Sequence, residues 1–268
     1  NMISFSMTTL LEKEIKLYRD IMRFTKVFIA TKPGMHEDIK KNVEKFLDDN
    51  RIEHTDQKEE HINLAIMIGG DGTLLHHQND FHCPVLGING GDSVGHFLSV
   101  GPEDYIEKLK KAVFGFEGKD YSIKKLMRLT AEINKEPVNA SAVNEVIVSA
   151  LYTRKMLHSE LTVDNKTSLE MNTAILAYTT QGSTAFAGSA GVRPADFLEG
   201  RFGVCAVAPY KGSLKRGPIV SAVHATVIPL NEEAELSIDG QDQHTFRLSE
   251  GDMVTIKKAD VPLRLIWF

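Results

Sequence analysis

The segment Gly69-Gly70-Asp71-Gly72-Thr73 has the residue types and spacing for chemistry on phosphate. It follows the apolar run Leu64–Ile68, which reads as a buried strand. Glycines put no Cβ in the way, so backbone N–H groups in such a turn can approach an anion closely. Thr73 and the apolar Leu74-Leu75 read as the start of a helix, whose N-terminus adds a dipole favourable to phosphate. Asp71 stands out. A carboxylate repels phosphate unless it binds a metal ion or takes a proton from an attacking hydroxyl. The combination suggests phosphoryl transfer. The plainer reading is a glycine turn between strand and helix with Asp71 as a cap, and the string alone does not separate the two.

Other segments add polar groups. Gln181-Gly182-Ser183-Thr184-Ala185-Phe186-Ala187-Gly188-Ser189 is small, polar and punctuated by glycine. It exposes hydroxyls and N–H groups as a phosphate or ribose site requires, and Phe186 offers a ring for stacking on a base. The plainer reading of the same letters, and the one this segment alone favours, is a small-residue helix packed against a neighbour. Asn144-Glu145 interrupts a strand-like apolar run, so a buried Glu145 needs a partner such as a ligand hydroxyl, a metal-bound water or a cation. The alternative is an exposed strand face. Asp239-Gly240-Gln241 by itself is an ordinary Asp-Gly hairpin turn. His76, His77 and His82 read as surface residues, with no spacing that makes a metal site.

Alternating elements must position these groups. Lys26–Ala30, Leu64–Ile68 and Val85–Ile88 read as strands. Residues 10–23, 36–49 and 105–113 carry apolar positions at helical spacing. This alternation predicts a parallel sheet with flanking helices over residues 1–120, with the Asp71 turn at a carboxyl strand end where ligands bind. From residue 121 to 268 the pattern changes to short β-rich runs: Leu126–Ile133, Ala142–Ala150, Glu160–Val163, Ala174–Tyr178, Gly203–Val207, His224–Pro229, Ala234–Ile238 and Met253–Lys257. The expectation is an α/β N-terminal domain followed by a β-rich C-terminal domain, with the Leu263–Phe268 run ending the second or returning to the first.

Composition narrows the class. With 42% apolar and 25% charged residues the 268-residue chain reads as globular. A net charge of −5 argues against a nucleic-acid partner bound through overall charge. No stretch is apolar enough to span a membrane as a helix. Cys83 and Cys205 read as buried free thiols, and the first residues lack a secretory pattern, so the expected location is cytoplasmic.

Taken in order, GGDGT at 69–73, Gly87-Ile88-Asn89, the glycine and Phe-Leu of 95–98, Asn144-Glu145, Gly182-Ser183-Thr184-Ala185 and Asp239-Gly240-Gln241 resemble the NAD kinase family. The resemblance implies transfer of a phosphoryl group from ATP or polyphosphate to the 2′-hydroxyl of the adenosine ribose of NAD. It implies that Asp71 activates that hydroxyl as general base or through Mg²⁺, and that Gly69, Gly70, Gly72 and Thr73 shape the phosphate-facing turn. Asn144 and Glu145 would hold the dinucleotide, while Thr184, Ala185, Phe186 and Ser189 would line the adenine and nicotinamide pockets. Thr173 stands where the family has an aspartate that contacts the nucleotide, and His96, Phe97, Gln181, Asp239 and Gln241 are carried over as further site positions. A homodimer or homotetramer is also implied. The chain departs from the family in having no carboxylate at 172–174, Thr180 for a proline and Phe186 for a tyrosine. Two other readings compete: a kinase for a lipid or other small alcohol built on the same GGDGT turn, and a nucleotide-binding module without catalysis.

Overall fold

The computed structural model describes residues 24–91, 95–152, 154–231 and 233–268. The helical spacing of residues 10–23 lies outside the described residues. The chain divides into two compact units, one reaching to Lys125 and including Arg264–Phe268, the other Leu126–Leu263.

The first unit alternates strand and helix: β1 (Lys26–Thr31), α1 (Glu37–Asp49), β2 (Glu53–Thr55), β3 (Leu64–Gly69), α2 (Asp71–His77), β4 (Val85–Asn89), α3 (Tyr105–Phe114) and β5 (Ser122–Leu126). Every residue of β3 is buried, as a strand covered on both faces requires. The pairs β1–β2, β1–β3 and β3–β4 are parallel. Helix α1 turns Val43, Phe46 and Leu47 into the core, and α3 turns in Leu109, Ala112 and Val113. Their spacing of three and four residues places each set on one helix face.

The second unit is built of strands β6 (Leu129–Ile133), β7 (Glu136–Ala142), β8 (Glu145–Ala150), β9 (Leu157–Val163), β10 (Lys166–Asn172) and β11 (Ala174–Tyr178). A four-residue helix, α4 (Phe186–Ser189), follows, and then β12 (Phe202–Val207), β13 (Ile219–Ala222), β14 (His224–Pro229), β15 (Glu233–Ile238), β16 (Thr245–Ser249) and β17 (Val254–Lys258). They form two antiparallel sheets, ordered β10-β9-β14-β17-β6-β7 and β13-β12-β11-β8-β15-β16. One hydrophobic core holds residues from both, including Leu161, Val227 and Ile256 of one and Val148, Ala177 and Leu236 of the other. This is a sandwich. The last strand, β18 (Leu263–Trp267), lies in the first unit's sheet, which runs β2-β1-β3-β4-β18-β5.

Two sequence runs divide differently from expectation. Leu126–Ile133 breaks at Met127-Arg128, with β5 in the first unit's sheet and β6 in the sandwich. Ala142–Ala150 breaks at Val143-Asn144, where the chain steps from one sandwich sheet to the other. A similar step occurs at Thr173, between β10 and β11. Both cysteines are buried and unpaired, and burial raises their thiol pKa values to about 11 for Cys83 and about 12 for Cys205. No helix among the described residues is long and apolar enough to cross a membrane.

Candidate active site

In the first unit the glycine turn sits at the carboxyl end of β3. Gly69 has φ 140°, and a Cβ there would lie 2.8 Å from Thr73 Oγ1, so a side chain is excluded by both backbone and neighbour. Gly70 is the extended residue that precedes α2, and Asp71 is its first residue. Gly72 differs from Gly69. It is exposed, and outside its own helix no described residue lies within 4 Å of where its Cβ would be. A glycine inside a helix costs about 1 kcal/mol relative to alanine, so packing of the chain itself gives no reason for it.

The Asp71 carboxylate is gripped from above. Backbone N–H groups donate from His96 to Oδ2 at 2.8 Å and from Phe97 to Oδ1 at 3.0 Å. The segment bearing those amides is pinned to β4: Asn89 N–H donates to Val100 O at 2.7 Å, and Val100 N–H to Gly87 O at 3.2 Å. Gly87 permits this approach, since a Cβ there would lie 2.8 Å from Leu98 Cα. Gly95 is equally constrained, with Asp71 Oδ1 at 3.3 Å and Asn89 Nδ2 at 3.2 Å from its would-be Cβ. The residues Gly87, Gly95, His96 and Phe97 thus form one device that orients Asp71 through main-chain amides. The side chains of His96 and Phe97 do not perform it, and Phe97 is buried.

In the second unit the step at Val143-Asn144 is the centre. Asp239 is buried, and its carboxylate accepts N–H bonds from Val143 (2.7 Å), Asn144 (2.7 Å) and Glu145 (3.0 Å). Asp239 and Gly240 do form a turn, with φ 51° and 63°, closed by Gln241 N–H to Ile238 O at 3.0 Å. The aspartate is nevertheless more than a turn residue, because it ties down the backbone of the Asn-Glu pair. Burial lifts its pKa to about 6 against the pull of those three amides and of Arg128. The Gln241 side chain bonds locally, Nε2 to Asp239 O at 3.2 Å.

Glu145 is buried, which excludes the exposed-face reading. Burial first, and the neighbouring Asp239 charge second, raise its pKa to about 8, while the Phe186 N–H acts in the opposite direction. Glu145 Oε2 and Asn144 Oδ1 are buried with no hydrogen-bond partner among the described residues. Such atoms are costly unless something else satisfies them.

The Gln181–Ser189 segment folds directly over this pair. Its first half is structural. Thr179 Oγ1 donates to Val143 O at 2.6 Å, and Gln181 Nε2 donates to Val143 O at 2.9 Å and Met127 O at 2.8 Å. A Cβ on Gly182 would collide with the Asn144 carbonyl. Ser183 is buried and accepts from Ala195 N–H. Thr180, in place of the proline, accepts from Phe197 N–H at 3.2 Å. The second half is accessible: Thr184, Phe186 and Ser189 are exposed and Ala185 half-buried. Thr173 does not join this group. It precedes β11, whose other end pairs Tyr178 with Glu145, about 17 Å away along the strand. Its hydroxyl donates to Val207 O at 3.1 Å.

Thr179, which anchors this turn through Val143 O, was not among the site residues read from the sequence. His76 and His82 are exposed, while His77 is half-buried with Nδ1 2.9 Å from Asp80. Among the described residues no group of three or more His, Cys, Asp or Glu is arranged to hold a metal ion.

Comparison with known proteins gives a consistent result. Residues 9–115 match the family model for the ATP-NAD kinase N-terminal domain. An NAD kinase of Methanosarcina acetivorans is 34% identical over 210 residues, 76% of this chain and 73% of that protein. The crystal structure of an NAD kinase from Archaeoglobus fulgidus in complex with ATP superposes with a TM-score of 0.72 at 27% identity, covering 90% of this chain and 92% of that one. Yeast NADH kinase complexed with NADH shares the fold, with a TM-score of 0.76 at 16% identity over 92% of this chain and 84% of that one. The order of motifs, the two-unit architecture and these relatives agree, and the chain belongs to the NAD kinase family.

Proposed function

We propose that this chain transfers the terminal phosphoryl group of ATP to the 2′-hydroxyl of the adenosine ribose of NAD, giving NADP. It is a kinase with an alcohol acceptor, as its family membership implies. The observation that carries the assignment to residues is the Asp71 carboxylate, fixed by two main-chain amides beside Gly72, a glycine that no described neighbour requires.

The ribose oxygen attacks the terminal phosphorus, the bond to the bridging oxygen breaks, ADP leaves and the hydroxyl proton passes to Asp71. The protein mainly positions reactants in such a transfer. Holding Asp71 by amides fixes its oxygens before substrate arrives, so no reorganisation is needed at the moment of reaction. Gly69, Gly70 and Thr73 shape the donor-phosphate turn, and Gly72 leaves its open side free. A divalent cation such as Mg²⁺ would be held through the phosphates of the nucleotide, with Asp71 as the nearby carboxylate, and would supply neutralisation of developing charge.

Asn144 and Glu145 hold the dinucleotide, and their unpartnered buried oxygens supply hydrogen-bonding capacity for ribose hydroxyls. Thr184, Ala185, Phe186 and Ser189 face its bases, with the Phe186 ring available for stacking. Gln181 and Asp239 act by holding that surface in place. We assign the protein to the cytoplasm, which two unpaired buried thiols support, and expect a homodimer or homotetramer by sedimentation. The deciding experiment mixes the protein with NAD, Mg²⁺ and either ATP or polyphosphate, and reads NADP with a coupled dehydrogenase. NADP with ATP is expected, and no NADP from either donor would overturn the assignment.

A further inference from the structure

We propose that His36 is a positioning residue for the phosphoryl donor, its imidazole bracing the glycine turn that carries Asp71 against the turn that follows β4. The inference rests on the reading of Gly69–Thr73 as the donor-phosphate turn.

Three loops leave the carboxyl ends of adjacent strands β1, β3 and β4. His36 lies in the first, Gly69-Gly70 in the second and Gly90 in the third. The His36 ring is seated against Gly90, where a Cβ would collide with Cε1, Nδ1 and Nε2 together. Its Cδ2 lies 3.8 Å from the position a Gly69 Cβ would take. Gly90 N–H donates to Gly69 O at 3.0 Å, so the ring spans two turns that are already bonded to each other. Gly90 has no left-handed backbone angle, unlike Gly69, so what a side chain there would meet is the imidazole, which would have to move aside.

The backbone of His36 sharpens the point. It adopts φ 56° and ψ 30°, a left-handed conformation unfavourable to most residues that carry a side chain. Initiating α1 does not explain a histidine. The side chain makes no capping hydrogen bond, and the carbonyl that accepts from Lys40 N–H at 3.0 Å would be supplied equally by glycine. Glycine or asparagine would hold this conformation at lower cost. The ring seated between the two glycine turns is what glycine or asparagine at this position would lack, and that ring sets the spacing between them. That spacing fixes where the donor phosphate rests relative to Asp71.

His36→Gly and His36→Asn test this, because both tolerate the left-handed backbone and remove the ring. The expected result is a Tm equal to or above that of the parent protein, an unchanged KM for NAD, and a kcat/KM for ATP lower by roughly 10- to 100-fold. Calorimetry with MgATP alone should show the same loss of donor binding. Gly90→Ala should lower kcat/KM for ATP by displacing the ring, and should add nothing further in the His36→Gly background. A lower Tm with unchanged ATP parameters would reduce His36 to a structural brace and overturn the inference. Equal losses for ATP and NAD would overturn it too. A parent protein that makes no NADP would instead remove the donor-site reading itself, and this inference with it.

Discussion

Asp71 and Glu145 are carboxylates with opposite surroundings, and the contrast calls for different tests of the roles proposed for them. Asp71 has both oxygens occupied by main-chain donors, whereas Glu145 is buried with Oε2 unpartnered. Asp71→Asn should lower kcat by about 100-fold or more while the protein stays folded, as a coupled NADP assay and a melting curve will show. Unchanged turnover would remove Asp71 from its role. For Glu145 the test is stability against pH. Its carboxyl titrates at 4.5 as a free group and at about 8 in the fold. Between those values the native state binds more protons than the unfolded chain, so stability falls as pH rises through this window. Asp239, raised from 3.8 to about 6, adds the same sign at lower pH. Glu145→Gln should therefore melt several degrees above the parent protein at pH 8.5, with the gap closing towards pH 5. A gap independent of pH would contradict the buried acid.

At the scale of elements, two glycines separate packing from function. Gly182 exists because the 181–184 turn presses on the Asn144 carbonyl. Gly182→Ala should cost about 1–3 kcal/mol and raise KM for NAD, read by melting and kinetics together. Gly72 lies in α2 with open space around it. Gly72→Ala should stabilise the helix by up to about 1 kcal/mol and yet reduce turnover. If it reduced both, the glycine would be a packing residue after all. The strands show where sequence patterns fail. Strands β2, β7, β10, β13 and β16 had no apolar run to announce them, and all five lie at sheet edges. An edge strand has one neighbour and buries less, so β10, Lys-Thr-Ser-Leu-Glu-Met-Asn, shows only alternate inward residues. Interior strands such as β3 and β11 are wholly buried and read as continuous apolar runs.

For the molecule as a whole, topology determines which unit depends on which segment. Strand β18 pairs parallel with β4 and sits between β4 and β5 in the first unit's sheet, although the preceding residues belong to the second. Deleting residues 263–268 should therefore expose the inner edge of β4 and remove amide protection from β3 and β4. Hydrogen exchange will locate the loss, and a loss confined to the sandwich would be evidence against this dependence. The sandwich places three of the residues singled out from sequence at the steps between its sheets. Asn144 and Glu145 lie at one step and Thr173 at another, near opposite ends of β8 and β11. An aspartate position inferred from family likeness thus falls far along the strand from the pair it was grouped with.

The sequence by itself determined the alternation of the first unit, the β character of the second and the motif order, because local chemistry is written locally. Buried strands need apolar runs, phosphate turns need glycine, and a nucleophile's base needs a carboxylate. Tertiary structure alone decided the partners. Nothing near Asp71 in sequence indicates that amides 25 and 26 positions away hold it. Nothing near Asn144 indicates that Asp239 fixes its backbone from 95 positions away. Gly90 acquires its reason only when the His36 ring arrives from another strand end. Main-chain hydrogen bonds and the absence of a Cβ leave almost no trace in residue type, so these contacts became visible only when the chain had closed on itself.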